Sequence, residues 1–225
     1  MSATVLQNRL KAIRLRTAAA VEAEWDDLPD LERDHAEPFA RRAVKIVTAG
    51  QLLTAKTTAA YLARIPGLRP VRPTVDNVTG RAARNVDPLE EYQRPFGAAW
   101  AEFGNGADYQ TARAAGRTRA SVLAVADTWL AMRATAALVD AANSRITGWV
   151  RVADAGACDL CSAADGQPMA AAADMAGHPG CGCTAEPQTS ANDATSEATD
   201  PEAFTVHQHD EMGPQLTAAG HGFAA

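Results

Sequence analysis

Four cysteines and one histidine lie within 26 residues: Cys158-Asp-Leu-Cys161, then His178-Pro-Gly-Cys181-Gly-Cys183. A Cys-x2-Cys pair lets two thiolates reach one ion from a tight turn, and a second Cys/His group about 17 residues later completes a tetrahedral set. Zinc is the default metal for such donors. The candidate ligands Cys158, Cys161, His178, Cys181 and Cys183 compete for four places. Either His178 or one of Cys181 and Cys183 therefore stands outside the coordination sphere, and the spacing does not choose between them. A site filled entirely by protein has no open position, so a structural zinc is expected, replacing the core of a module too small to fold alone. Disulfides compete poorly in a chain expected to stay in the cytosol, and a Cys181–Cys183 bridge would be strained. Metal-free buried thiols are the remaining alternative.

Nucleophilic catalysis needs a Ser or Cys within reach of a histidine that a third group orients. The histidines are His35, His178, His207, His209 and His221. His178 is taken if it ligates, and the last three lie in or after a stretch of linker composition. Neither Gly-x-Ser-x-Gly nor His-Glu-x-x-His occurs, and His207-Gln-His209-Asp210-Glu211 lacks the helical spacing of a metalloprotease. No catalytic residue is assigned, and the chain is read as non-enzymatic. Knuckles that bind nucleic acid surround the metal with basic and aromatic side chains. No Lys, Arg, Phe, Tyr or Trp lies between Val152 and Cys183, whereas Asp154, Asp159, Asp165 and Asp174 do. Any DNA contact falls to the basic N-terminal region, above all Arg69, Arg72, Arg81 and Arg84, a stretch that also reads as a solvated loop.

The elements that carry these residues are alanine-rich. Of 225 residues 51 are Ala and only 12 aromatic, so helix propensity is high and burial per residue low. The 47% hydrophobic fraction nevertheless excludes wholesale disorder. All 21 Lys and Arg lie at or before Arg151 with 16 acids, a balance of +5, while residues 152–225 hold 11 acids and no Lys or Arg, a balance of -11. Such asymmetry suggests two differently employed regions. No uninterrupted apolar run reaches the roughly 18 residues of a membrane span, and the N-terminus lacks a signal-peptide block, so no membrane contact and synthesis in the cytoplasm are expected.

The expected fold is mainly α: an N-terminal helical region with a long heptad helix, then a small α+β zinc-stabilised module and an extended tail. Residues 1–65 hold two amphipathic helices, from Val5 to Trp25 and from Pro38 to Ile65. Residues 66–86 read as an extended Pro/Arg connector. Residues 87–145 form a helical hairpin opened by Asp87-Pro88-Leu89-Glu90, an N-cap with proline at the first position, and by a cap at Asp108. Its second helix carries Val122, Val125, Trp129, Met132, Ala136 and Val139 in steps of three and four, a heptad stripe expected to face one partner. Residues 146–183 form the Cys/His module, entered by the β-prone Ile146–Val152 run. Residues 184–205 are an acidic linker and 206–225 a C-terminal tail.

Cys158-x2-Cys161, Gly166 and His178-Pro179-x-Cys181-x-Cys183 resemble the C-terminal signature of the phage Mu F-like minor head proteins, the phage head morphogenesis family. Ala49-Gly-Gln51 with Thr54, Ala59–Ala63, Tyr92-Gln-Arg-Pro-Phe96, Gly148–Val152, Val206-His-x-His and Gly213-Pro214-x-Leu216 are similar, in order, to the form found in phages of actinobacteria. The tail departs, with Asp210-Glu211-Met212 where that form has a glycine after the histidine. The resemblance covers most of the chain from about Ala40. It implies a minor capsid protein in the virion, in the capsid interior or at the portal vertex, that assists head assembly or genome packaging and delivery. The implied partners are the portal protein, with the major capsid or scaffold protein and packaged DNA as further ones. Related phage proteins are also labelled capsid maturation proteases, which is the competing reading; a nucleic-acid-binding zinc knuckle is the third.

Overall fold

Ser2 opens the first helix, its hydroxyl accepting the Val5 N–H at 3.4 Å, and the Asp27–Asp30 stretch with Pro29 ends it, giving α1 over Ala3–Asp26. In the computed structural model, which describes residues 2–178, 180–189, 197–210 and 213–219, the chain is mainly helical with small sheets towards its C-terminus. α2 spans Ala36–Leu62. Residues 66–86 are not wholly extended. The Thr74 N–H donates to Asn77 Oδ1 at 2.8 Å, closing a capped turn over Val75–Val78 (α3). Asp87 caps α4 (Pro88–Glu91) through the Leu89 N–H, Pro95 sits in the first turn of α5 (Arg94–Gly104), and Asp108 caps α6 (Tyr109–Ala142) through the Thr111 N–H.

The long helix expected to face one partner packs chiefly against α1, α2 and α5, with α3 touching it as well. Its buried face is correspondingly broad and small: Ala112, Gly116, Ala120, Leu123 and Ala124 lie at the N-terminal end and Met132, Ala136 and Val139 at the other, while Val122 of the heptad stripe is exposed. Alanine and glycine let the helices approach closely. α6 is also apolar enough to cross a membrane by length and composition, but over half of its most apolar 18-residue window is buried against the protein itself, as in a core helix.

Three aromatic rings anchor the upper core. Trp25 meets Phe39 and Phe96 edge to face with centroids 5.3 and 5.0 Å apart, and Phe39 lies 5.9 Å from Phe96. Gly116 makes room for them: a Cβ there would stand 2.1 Å from Trp25 Cζ2 and 2.9 Å from the Pro95 carbonyl. Gly116→Ala should therefore cost about 1–3 kcal/mol of stability despite its better helix propensity, read as a lowered urea midpoint. An unchanged or raised midpoint would show that Trp25 moves aside freely.

Among its described residues the C-terminal third has two small sheets. β1 (Ile146–Val152) lies between β2 (Pro168–Met169) and β3 (Thr184–Thr189), antiparallel to both. Thr184–Thr189, expected as the start of the acidic linker, is thus a strand in register with β1, and its Pro187 is tolerated because β3 is an edge. α7 (Asp159–Ala163) follows β1. The tail is a hairpin of β4 (Phe204–His209) and β5 (Gly213–Ala218), tied on by hydrogen bonds between Gly177 and both Pro214 and Leu216. The tail from residue 220 lies outside the described residues. This third is not coreless: Trp149, Cys161, Met169, Met175 and Cys183 share one apolar cluster with Leu6, Leu62, Met132 and Val139 of the helices.

Candidate metal centre

Cys158 is the N-cap residue of α7, and Cys161 lies in the short helix it opens, so one turn presents both sulfurs. Gly166, at φ +79°, turns the chain back; its N–H donates to the Arg151 carbonyl, which sets the loop against β1. The second group sits on a turn in which the Cys181 N–H donates to the His178 carbonyl at 3.0 Å, with Gly180 at φ +84°. Cys183 immediately precedes β3, beside the β1 end where Val152 pairs with Thr184.

These turns bring the ligand atoms together. Cys161 Sγ lies 2.9 Å from His178 Nε2 and 3.8 Å from Cys181 Sγ, and Cys158 Sγ lies 3.4 Å from His178 Nε2. A tetrahedral ion with metal–sulfur bonds of about 2.3 Å has a sulfur–sulfur edge of about 3.8 Å. The five atoms form two overlapping triplets, Cys158/Cys161/His178 and Cys161/Cys181/Cys183, each with all its members within 4.8 Å. Cys161 belongs to both. Either triplet can begin a metal site; one further atom must close in to complete four donors.

The charge around the sulfurs is arranged for a thiolate. Hydrogen bonds from Cys161 and Cys183 draw the Cys181 thiol well below its ordinary range against the cost of burial, with the charges of Arg151 and His178 helping. Cys161 is correspondingly pushed up, chiefly by its hydrogen bonds to Cys181 and Cys183 and then by burial. At Cys183 the Cys161 hydrogen bond pulls down, but the bond to Cys181, burial and the Cys181 charge outweigh it and raise the thiol to about 12.

The cation beside them is Arg151, only 1% exposed. Its Nη1 donates to Cys181 Sγ at 3.9 Å, its Nε to Gln167 Oε1 at 3.4 Å, and its Nη2 to the Ala176 carbonyl. Burial alone would lower its pKa, but Cys181 and Cys183 more than reverse that. Sequence reading missed it as a site residue. Its signal was the period of two: Trp149 and Arg151 lie on one face of β1, so the cation had to be buried with the tryptophan.

Helices hold the module from outside. Gln7 of α1 donates to the Val152 and Ala153 carbonyls at 3.1 Å, Arg14 to the Cys181 carbonyl at 2.5 Å, and Trp129 of α6 to the Cys183 carbonyl at 3.3 Å. The other histidines lie elsewhere. His35 Nε2 is 3.2 Å from Asp30 Oδ1, His207 is 3.0 Å from Thr205 Oγ1 on the hairpin, and His221 and the His209 side chain lie outside the described residues.

The arginine connector is corrected at one position. Arg69 and Arg72 are exposed and Arg81 pairs with Asp87 at 3.1 Å, but Arg84 is 5% exposed and bridges Asp127 (2.8 Å) and Glu91 (3.1 Å). It is therefore part of the core rather than of a solvated basic loop. Tyr92 donates to the same Asp127 at 2.8 Å, and Gln51 to the Asp127 carbonyl at 3.3 Å. Comparison with protein-family models, with curated proteins and with solved structures found no match.

Proposed function

We propose that this chain is a zinc-stabilised, non-enzymatic minor capsid protein of a tailed phage, acting in the virion at the portal vertex in head assembly or genome packaging and delivery. One observation carries the reading: Cys158, Cys161, His178, Cys181 and Cys183, whose order resembles the Mu F-like signature, also converge in space on Cys161. Thiolate-rich tetrahedral donors favour zinc over harder ions. Gln51 and Tyr92, quoted in the same resemblance, meet at Asp127, so two of its separated motifs serve one structural network. On this reading the metal fixes the shape of the C-terminal module, while the heptad face of α6 and its neighbours supply the apolar contacts that hold the helices together. The partner is the portal protein. Co-expression with the portal protein of the same genome should give co-elution at the mass of the portal ring; elution of the two proteins apart would remove the assignment.

Proteolysis is the second reading, favoured by the 2.9 Å contact between Cys161 and His178. Cys161 is, however, 2% exposed and its thiol is pushed up, the reverse of an activated nucleophile. Cleavage of the major capsid protein, lost in Cys161→Ser, would establish it.

A further inference from the structure

A cavity of about 240 Å³ opens between α6 and the residues Gly177, His178, Gly180 and Cys181, beside the hairpin residue Gln215. Its floor is apolar, built from Val122, Val125, Trp129 and Leu130, while Arg84, Arg94 and Arg119 supply guanidinium groups. Among the described residues no Asp or Glu lines it, and His178 and Cys181 of the metal centre form part of its wall. The carboxylates bonded to these arginines, Glu91 and Asp127, are buried and do not reach the wall. Arg84 is about 95% buried, yet its Nη2 has no hydrogen-bond partner among the described residues. A buried cationic N–H without an acceptor is costly, and an anion entering the cavity would satisfy it.

We propose that this cavity is a binding site for a small organic anion, an apolar body ending in a carboxylate. The guanidiniums receive the charged end, and the α6 floor takes the hydrocarbon. An inorganic oxyanion would satisfy the arginines but leave the apolar floor wet, and a cation would face three like charges. The volume lies below the roughly 300 Å³ at which pockets for drug-sized ligands begin, so the occupant is short. The proposal is independent of the portal reading; because His178 and Cys181 also line the cavity, the site adjoins the metal centre.

Calorimetric titration of the full chain with hexanoate and phenylacetate tests it, with inorganic phosphate and hexylamine as comparisons. Saturable binding of either carboxylate is expected, weakened at least tenfold in Arg119→Gln and abolished in Val122→Trp, which fills the cavity. Val122 is 38% exposed, and Arg119, half-buried with its side chain 40% exposed, lies 3.8 Å from Glu91, which keeps Arg84 and Arg94; circular dichroism verifies that both variants fold. Phosphate binding as tightly as the carboxylates, hexylamine binding at all, no saturable carboxylate binding, or carboxylate binding that survives Val122→Trp would each overturn the proposal.

Discussion

Cys161→Ser should abolish stoichiometric metal binding, whereas Cys158→Ser should only weaken it. Cys161 alone belongs to both ligand triplets, and it is buried; Cys158 is exposed and belongs to one. Serine keeps the size of the side chain but is a far poorer metal ligand at neutral pH, and a structural zinc contributes about 10–16 kcal/mol of apparent binding energy in small domains. Metal analysis of the purified protein should give about one zinc per chain in the parent and none in Cys161→Ser. The effect on folding should spread beyond residues 146–183. Cys161, Cys181 and Cys183 share their apolar cluster with Leu6, Tyr61, Leu62 and Met132, and Gln7, Arg14 and Trp129 hydrogen-bond to the module. Hydrogen exchange should therefore accelerate at the module-facing ends of α1, α2 and α6 as well as in β1 and β3. Full metal content in Cys161→Ser would show that Cys161 is not a ligand, and no metal in the parent would show that the sulfurs approach for packing alone.

The Cys/His group was legible because local chemistry encodes it: two short turns fix four sulfurs and an imidazole at readable spacings. The helix starts at Asp87-Pro88 and Asp108 were legible for the same reason, since a cap acts within three residues. What escaped depends on partners distant in the chain. Thr184–Thr189 has linker composition, and only pairing with β1, some 35 residues earlier, makes it a strand. Arg84 sits in a basic run that reads as solvated until Asp127, 43 residues later, is brought beside it. The division of the five ligands into two triplets likewise follows from how α7 meets the turn before β3, which spacing along the chain does not encode.

The second large effect is expected at Asp127, a buried charge. Asp127 accepts from Arg84 Nε and Tyr92 Oη, both at 2.8 Å, and Arg84 reaches Glu91, which is fully buried, at 3.1 Å. Burial pushes the Asp127 carboxyl up despite Arg84 and Tyr92 pulling it down, so the pairing does not fully offset the desolvation of the charge. A carboxyl raised in the fold binds its proton before the unfolded chain does, so this group makes the fold relatively more stable as pH falls through its range; acid does not act by breaking this site. Removing one partner is a different matter. Asp127→Ala leaves the Arg84 guanidinium with Glu91 alone and strands the Tyr92 hydroxyl, and it should cost about 3–5 kcal/mol, measured as a lowered urea midpoint with the slope unchanged. Replacing Arg84, Tyr92 and Asp127 together by Met, Phe and Leu should cost less than Asp127→Ala alone, because the three polar groups leave together; Glu91 loses Arg84 but keeps Arg94 at 3.0 Å. If the triple variant were as unstable as the single one, the network would stabilise the fold in its own right. If it recovers, the network's contribution is positional: it fixes α2, α4 and α6 at one depth, and with them the arginines that open onto the cavity beside the cysteine module.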